Sequence, residues 1–285
     1  MGVNVKILKL KMLYESAARA NFSDPFRRGQ LIELPPKGDV LVSGDLHGNE
    51  ANYEAIVERA DLDAHPDRHL IIQEVTHVLE LGPDTSSIVI ESIAKLKCNH
   101  PDRVHFLLGN HEHAELTGQE VLKGGLCLNI LFRNSLINQY GDDADNIRES
   151  IYAFFRSMPL AIKCPNRIFL SHSTPANAYL GNYRFDFFTQ STEDLWTEPQ
   201  KPLLYHLLWS RDYEPATATR FAKLVDADVL LVGHKPCKKG FLVPNDTHII
   251  IDSKDKNAHV LPFRLDRSYT HAELVSLLEP LDAPA

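Results

Sequence analysis

Five short polar clusters carry the residue types that could do chemistry, and each stands where an apolar run stops. They are Gly44-Asp45-Leu46-His47-Gly48, Gln73-Glu74-Val75-Thr76-His77, Gly109-Asn110-His111-Glu112, Ser171-His172-Ser173 and Gly233-His234-Lys235. Each offers carboxylate, amide or imidazole donors. Such a mixed oxygen and nitrogen set suits borderline divalent cations such as Mn, Fe or Zn; a structural zinc would favour thiolates, and calcium has little use for imidazole. Taken singly the clusters have plainer readings. Asp45-Leu46-His47-Gly48 reads as an Asx turn, Asn110 as the cap of a helix near Glu112, His172 and His234 as core histidines, and Glu74 with His77 as a surface pair. Their shared grammar, repeated in order along the chain, favours one common site.

That grammar belongs to the elements that must position the clusters. Asp39-Val40-Leu41-Val42-Ser43, Leu70-Ile71-Ile72, Val104 to Leu108, Arg167 to Leu170 and Val229 to Val232 read as short buried strands. Helical stretches are expected between them at about 50–60, 85–97, 124–140, 146–157, 202–209 and 216–226. Apolar residues at Val3, Ile7, Leu10, Tyr14 and Ala17 predict an N-terminal helix. Phe241 to Val243, His248 to Ile251 and His259 to Phe263 are expected as antiparallel strands of a second sheet. Strands alternating with helices give an α/β class, and two mixed β-sheets packed as a sandwich and flanked by helices account for the order. We expect one domain over 1–285: a helical leader 1–37, a catalytic core 38–265 and a tail 266–285.

Composition removes other classes. Thirty Lys+Arg against 38 Asp+Glu leave a net charge of -8, with no basic run to neutralise nucleic-acid phosphates, so nonspecific nucleic-acid binding is not expected. Neither a signal core nor a membrane-length apolar run is visible, and Met1-Gly2 lacks the Ser/Thr of a myristoylation signal, so a soluble, cytoplasmic protein without a membrane partner is expected. Cys98, Cys127, Cys164 and Cys237 are widely spaced and are read as buried, reduced thiols.

From about residue 38 to 265 the chain resembles the calcineurin-like metallophosphoesterases, in the branch holding the Ser/Thr phosphoprotein phosphatases and the bacterial diadenosine-tetraphosphate hydrolases. The family signature runs Asp-x-His-Gly, Gly-Asp-x-x-Asp-Arg-Gly, Gly-Asn-His-Asp/Glu, a later strand-end His and a final Gly-His. Here the third motif is matched fully, and the first, fourth and fifth in their essential residues; Met158-Pro159-Leu160 and Leu207-Leu208-Trp209-Ser210 add softer similarity. The resemblance implies two divalent metal ions (Mn, Fe or Zn), one held by Asp45 and His47, the second by Asn110, His172 and His234, with Glu74 bridging. It implies His111 as the acid that protonates the leaving group, and hydrolysis of a phosphomonoester or phosphoanhydride on a phosphoprotein, a dinucleotide polyphosphate or a small phosphoester.

The second motif departs from the family. Gln73-Glu74 stands for Gly-Asp, His77 for the Asp that orients the catalytic His, and the motif's Arg is missing, while Gly82-Pro83-Asp84 looks like its displaced tail. A gapless register would put His77 at the bridge with Glu80 behind it. A carboxylate can share two oxygens between cations and a neutral imidazole has one lone pair, so Glu74 is preferred. Arg211 is read as the replacement for the lost Arg, gripping phosphate oxygens bidentately, with pairing to Asp212 or Glu214 as the plain alternative. Lys235 and His113 are read as solvated neighbours, and Phe154, Phe155, Phe185, Phe187 and Phe188 as core. The altered motif also motivates a rival reading, a catalytically degenerate phosphatase-like binding or regulatory module.

Overall fold

The run Asp39–Asp45 is apolar at consecutive central positions because both faces of its strand are covered, as in a parallel sheet with layers on either side. In the computed structural model, which describes residues 5–80 and 82–281, alternate residues part as the strand period demands. Val40 and Val42 join Ile71 and Leu107 in a cluster shared with Ile162, Leu170, Leu231 and Ile251 of a facing sheet. Leu41, Leu70, Ile72 and Phe106 turn the other way, among helix residues such as Ile56, Ile90 and Ile93. Fully burying one such side chain contributes about 1.5–3 kcal/mol, so a register slip of one residue would exchange the two cores and is strongly disfavoured.

One sheet has the order Glu279–Pro280, His259–Arg264, Asp39–Asp45, Arg68–Gln73, Val104–Leu107. Its last three strands are parallel, joined through the helices Glu50–Ala60 and Ser86–Asn99. The facing sheet runs Arg27–Arg28, Leu31–Glu33, Ala161–Lys163, Ile168–Ser171, Val229–Val232, His248–Ile251, Phe241–Leu242, with Ile168–Ser171, Val229–Val232 and His248–Ile251 parallel. Parallel strands deliver their C-terminal loops to one edge, where such folds place ligands. At that edge the sheets touch: the Ser253 amide donates to the Asp45 carbonyl (3.0 Å) and the Gly44 amide to Ser253 Oγ (2.8 Å). A Cβ on Gly44 would strike the Ile251 carbonyl, which is why this position takes no side chain.

The helix Val5–Phe22 buries Ile7, Leu10, Tyr14 and Ala17, the stripe its spacing implies, against the helices Ser86–Asn99 and Ala144–Arg156. Val3 of that stripe, and positions 282–285 of the tail, lie outside the described residues. The helix Glu50–Ala60 has the expected bounds, and its Asn49 cap accepts from the Asn52 amide, worth about 1 kcal/mol. Phe154, Phe155, Phe187 and Phe188 are buried core, with Phe185 partly buried against them.

Two expectations are corrected. Of the three C-terminal runs, Phe241–Leu242 and His248–Ile251 lie antiparallel in the second sheet as expected, but His259–Arg264 pairs antiparallel with Asp39–Asp45 in the first. The helix expected from 124 starts at Leu128, because Gly124-Gly125 (φ 58° and 81°) turn a small hairpin of Leu122–Lys123 and Leu126–Cys127. Two adjacent residues at positive φ are what a tight hairpin asks for and what a helix forbids. Of the cysteines, all free, Cys164 and Cys237 are buried while Cys98 and Cys127 are only half-buried.

Candidate metal centre

The clusters converge because each follows the C-terminal end of a parallel strand: Asp45, Glu74 and Asn110 on the first sheet, His172 and His234 on the second. The turns that aim them are unusual. His47, Glu74, His77 and His234 have φ of 46°, 41°, 70° and 66°, a left-handed conformation that costs a residue with a Cβ roughly 1–2 kcal/mol and gathers at functional sites. The Glu74 carbonyl holds the first turn by accepting from the Leu46 and His47 amides (2.8 and 3.0 Å). Glu112 holds the next two, taking the Val75 and Thr76 amides on Oε1 (3.0 and 2.8 Å) and the Gly109 amide on Oε2 (3.1 Å). Asn110 is the first residue of the helix Asn110–Thr117, not its cap, since Gly109 occupies the cap position. A Cβ on Gly109 would lie 2.6 Å from an oxygen of Glu74.

Three imidazoles are fixed from behind. His47 Nδ1 lies 3.2 Å from the His77 carbonyl and 3.4 Å from that of Thr76; His234 Nε2 lies 3.2 Å from the Trp209 carbonyl. His172 Nδ1 is 3.3 Å from Gln73 Oε1, the amide's NH2 donating to the Ser43 carbonyl (3.0 Å). Each of these nitrogens faces an acceptor and therefore carries the proton, which leaves the opposite nitrogen of the neutral ring with a bare lone pair. Those lone pairs all point at oxygen: His47 Nε2 at Glu74 Oε1 (3.3 Å), His172 Nε2 at Glu74 Oε2 and Asn110 Oδ1 (both 2.9 Å), His234 Nδ1 at Asn110 Oδ1 (2.7 Å). Lone pair against lone pair is repulsive unless a proton or a metal ion lies between, and an imidazole braced on its far nitrogen is the habitual arrangement of a metal ligand. The residues present fit divalent ions.

Electrostatics agree. Burial raises the Asp45 and Glu74 carboxyls well above the usual range, with the Glu74 charge adding to Asp45 and that of Glu112 to Glu74. Burial lowers His47 to about 3 and His234 and His111 well below the ordinary histidine value. Burial thus disfavours the charged form of carboxyls and imidazoles alike, and metal ions would supply the positive charge that stabilises the carboxylates while the neutral imidazoles remain free to ligate. Among the described residues, two groups bring ligand atoms within 4.8 Å of one another: Asp45, Glu74 and His172, and His47, Glu74 and His111. Glu74 is common to both. Asp45 thus falls beside His172, where the resemblance implies His47 as its companion, and the Asp45 Oδ1 also accepts the His234 amide (3.1 Å).

His111 Nδ1 lies 3.0 Å from His77 Nδ1, and its Nε2 is 3.9 Å from Glu74 Oε1. Arg211 is exposed at the rim and donates from Nη2 to the His234 carbonyl (3.4 Å), while Asp212 accepts the Asn177 and Glu214 amides (2.8 and 3.1 Å). His47, Glu74, Asn110, His111, Arg211 and His234 line one cleft of about 300 Å³, walled by Trp209 and the 120–123 segment. His113 and Lys235 are corrected. His113 is buried, stacks on Trp196 (5.9 Å between centroids) and takes the Trp209 indole N–H on Nδ1 (3.2 Å). Lys235 is half-buried with its ammonium 5.0 Å from the centre of the Tyr213 ring.

Sequence reasoning missed Gln73, Glu112, Glu115 and Asp252 as supports. Asp252, bridged to Asp45 and binding the Cys237 amide (2.7 Å) and Lys254 Nζ (3.2 Å), ends the apolar run 248–251, a signal of the same kind as the five clusters. No comparable local signal marks Gln73 or Glu115 as supports.

A family model described as calcineurin-like phosphoesterase matches residues 38–238. No curated protein matches the chain. Among solved structures, a protein serine/threonine phosphatase from Saccharomyces cerevisiae with similarity to human phosphatase PP5 superposes with a TM-score of 0.64 at 15% identity, over 98% of this chain and 90% of that one. A cold-active protein-tyrosine phosphatase of a psychrophilic Shewanella sp. gives 0.61 at 15% identity, over 90% and 82%. At such identity these neighbours speak for the fold, and the family match, spanning all five clusters, carries the assignment: the chain belongs to the calcineurin-like phosphoesterases, a family of phosphoric ester hydrolases.

Proposed function

We propose that this chain hydrolyses a phosphomonoester or phosphoanhydride at a two-metal centre held by Asp45, His47, Glu74, Asn110, His172 and His234. The observation that carries the reading is the set of three braced imidazoles whose lone pairs face the oxygens of Glu74 and Asn110. Bound divalent ions supply Lewis acidity and lower the pKa of water. The chain's own residues do the rest. Arg211, exposed at the rim, offers its guanidinium fork to phosphate oxygens. His111 turns Nε2 toward the cleft, with Nδ1 held by His77. As the oxygen of water forms its bond to phosphorus, the ester P–O bond breaks with its electron pair on the leaving oxygen, which takes the Nε2 proton of His111. The proton lost by the attacking water restores that imidazolium.

Both structural neighbours bear the names of protein phosphatases, which makes phosphopeptides the first substrates to assay, ahead of diadenosine polyphosphates and phosphodiesters. Four free cysteines, two of them buried, suit a reducing, cytoplasmic setting; among the described residues no helix is long and apolar enough to cross a membrane. The test is metal analysis with an aryl-phosphate assay after loading with Mn²⁺. Two bound ions, with turnover lost in Asn110→Ala and His111→Ala, are expected. One ion or none, with no turnover on any phosphoester, would refute the reading and leave a binding module.

A further inference from the structure

Glu115 is a buried carboxylate that the proposed chemistry has not used. It sits on the helix Asn110–Thr117, side chain 3% exposed, and three groups converge on it. Oε1 lies 2.8 Å from His77 Nε2 and 2.8 Å from Asn129 Nδ2, and Oε2 takes the Tyr152 hydroxyl at 2.6 Å. An amide NH2 can only donate, and burial together with the Glu115 charge pushes the Tyr152 phenol up, keeping its proton on. Glu115 is therefore the acceptor of all three, and His77 carries its proton on Nε2.

The tautomer of His77 then dictates that of its neighbour. Its Nδ1, 3.0 Å from His111 Nδ1, has only a lone pair to offer, so His111 must supply the proton of that hydrogen bond. His111 is thereby fixed as the Nδ1–H ring with Nε2 directed toward Glu74 and the cleft. The sequence puts an imidazole where a carboxylate beside His111 would have been expected, and Glu115 restores the negative charge one ring further back.

We propose that Glu115 is a positioning residue that orients His111 through His77, the line Glu115–His77–His111 holding the leaving-group acid in its productive tautomer. Asn129 and Tyr152 hold the carboxylate and touch neither histidine ring nitrogen. This rests on the reading of His111 as proton donor. Holding the Nδ1 proton leaves Nε2 as the nitrogen that takes up a second proton from solvent; when the resulting imidazolium gives that Nε2 proton to the leaving oxygen, the ring returns to its Nδ1–H form, the bond to His77 is retained and no proton moves along the line.

The test compares Glu115→Ala, Glu115→Gln, Tyr152→Phe and His111→Ala in the full chain at equal metal content. Phenyl phosphate needs a proton on its leaving oxygen and 2,4-dinitrophenyl phosphate does not. Glu115→Ala is expected to lower kcat on phenyl phosphate about 100-fold, the low end for lost general-acid catalysis, with KM within about twofold and the dinitrophenyl ester falling less than about threefold. Glu115→Gln, whose amide oxygen still accepts from His77, should recover about tenfold, and Tyr152→Phe should shift both esters alike and by less than about threefold. Equal losses on both esters in Glu115→Ala would overturn the proposal. A second measurement separates it from the reading of the site as a whole: ¹⁵N NMR of histidine-labelled protein reports tautomers whether or not it turns over. His111 as the Nδ1–H form, switching to Nε2–H in Glu115→Ala, supports the line, and an unchanged tautomer overturns it. Equal losses on both esters in His111→Ala would instead refute the proton-donor role.

Discussion

Replacing His113 by Gln should flatten the acid dependence of stability by a calculable amount. Burial holds the His113 imidazole at about 4, and its Nδ1, where a second proton would sit, already accepts the Trp209 indole N–H (3.2 Å). In the unfolded chain the same ring titrates near about 6.5. A folded value below the unfolded one means that the unfolded state binds the proton first. The ring's contribution is then present in full above about pH 6.5, shrinks as pH falls, and is exhausted below about 4. The difference amounts to about 3 kcal/mol in total, of which about 2 kcal/mol is lost between pH 8 and pH 5. Gln at 113 keeps an acceptor for Trp209 and cannot be charged. The variant will be weaker at pH 8, by about 1 to 2 kcal/mol for lost stacking and packing, yet should lose about 2 kcal/mol less than the parent on going to pH 5. Urea unfolding of both proteins with chelator present, at pH 8, 7, 6 and 5, reads this double difference without relying on absolute stability. Parallel stability curves for parent and variant, or an NMR titration of His113 near its ordinary value, would refute the reasoning.

The same attention to neighbours yields three further expectations. Gly233→Ala would set a methyl group on Asp45 Oδ1 and beside the Gln73 amide; the fold should survive while bound metal and turnover both fall, read by metal analysis and circular dichroism. Lys97→Met strips a buried ammonium from Asp24 (3.2 Å), a carboxyl held down at about 2 against its burial by His105 and Lys97, and should cost about 3–5 kcal/mol in a urea melt at pH 7. Arg211→Lys replaces a fork by a point charge at the cleft rim, so kcat/KM should fall about 10- to 100-fold, mostly through KM, with metal content unchanged.

Part of this architecture is legible in the order of residues alone. The apolar runs ending in Asp45, Glu74, Asn110, His172 and His234 announce strands with chemistry at their tips, and the stripe Ile7, Leu10, Tyr14, Ala17 announces a helix, because period and turn chemistry act over a few residues. The hairpin at Gly124-Gly125 is legible too, in the paired glycines, though the apolar residues around them imitate a helix. His113 is not: nothing near it in the chain tells a solvated histidine from one enclosed by Trp196 and Trp209.

The order of residue types along the chain determined the family and the donors available to a metal. Tertiary structure alone decided which sheet each C-terminal strand joins, which nitrogen of each imidazole is braced, and that Glu115 stands behind His77. Those outcomes depend on which groups from distant segments come within about 3 Å, and hydrogen-bond energies fall away too steeply beyond that distance for local sequence to anticipate them.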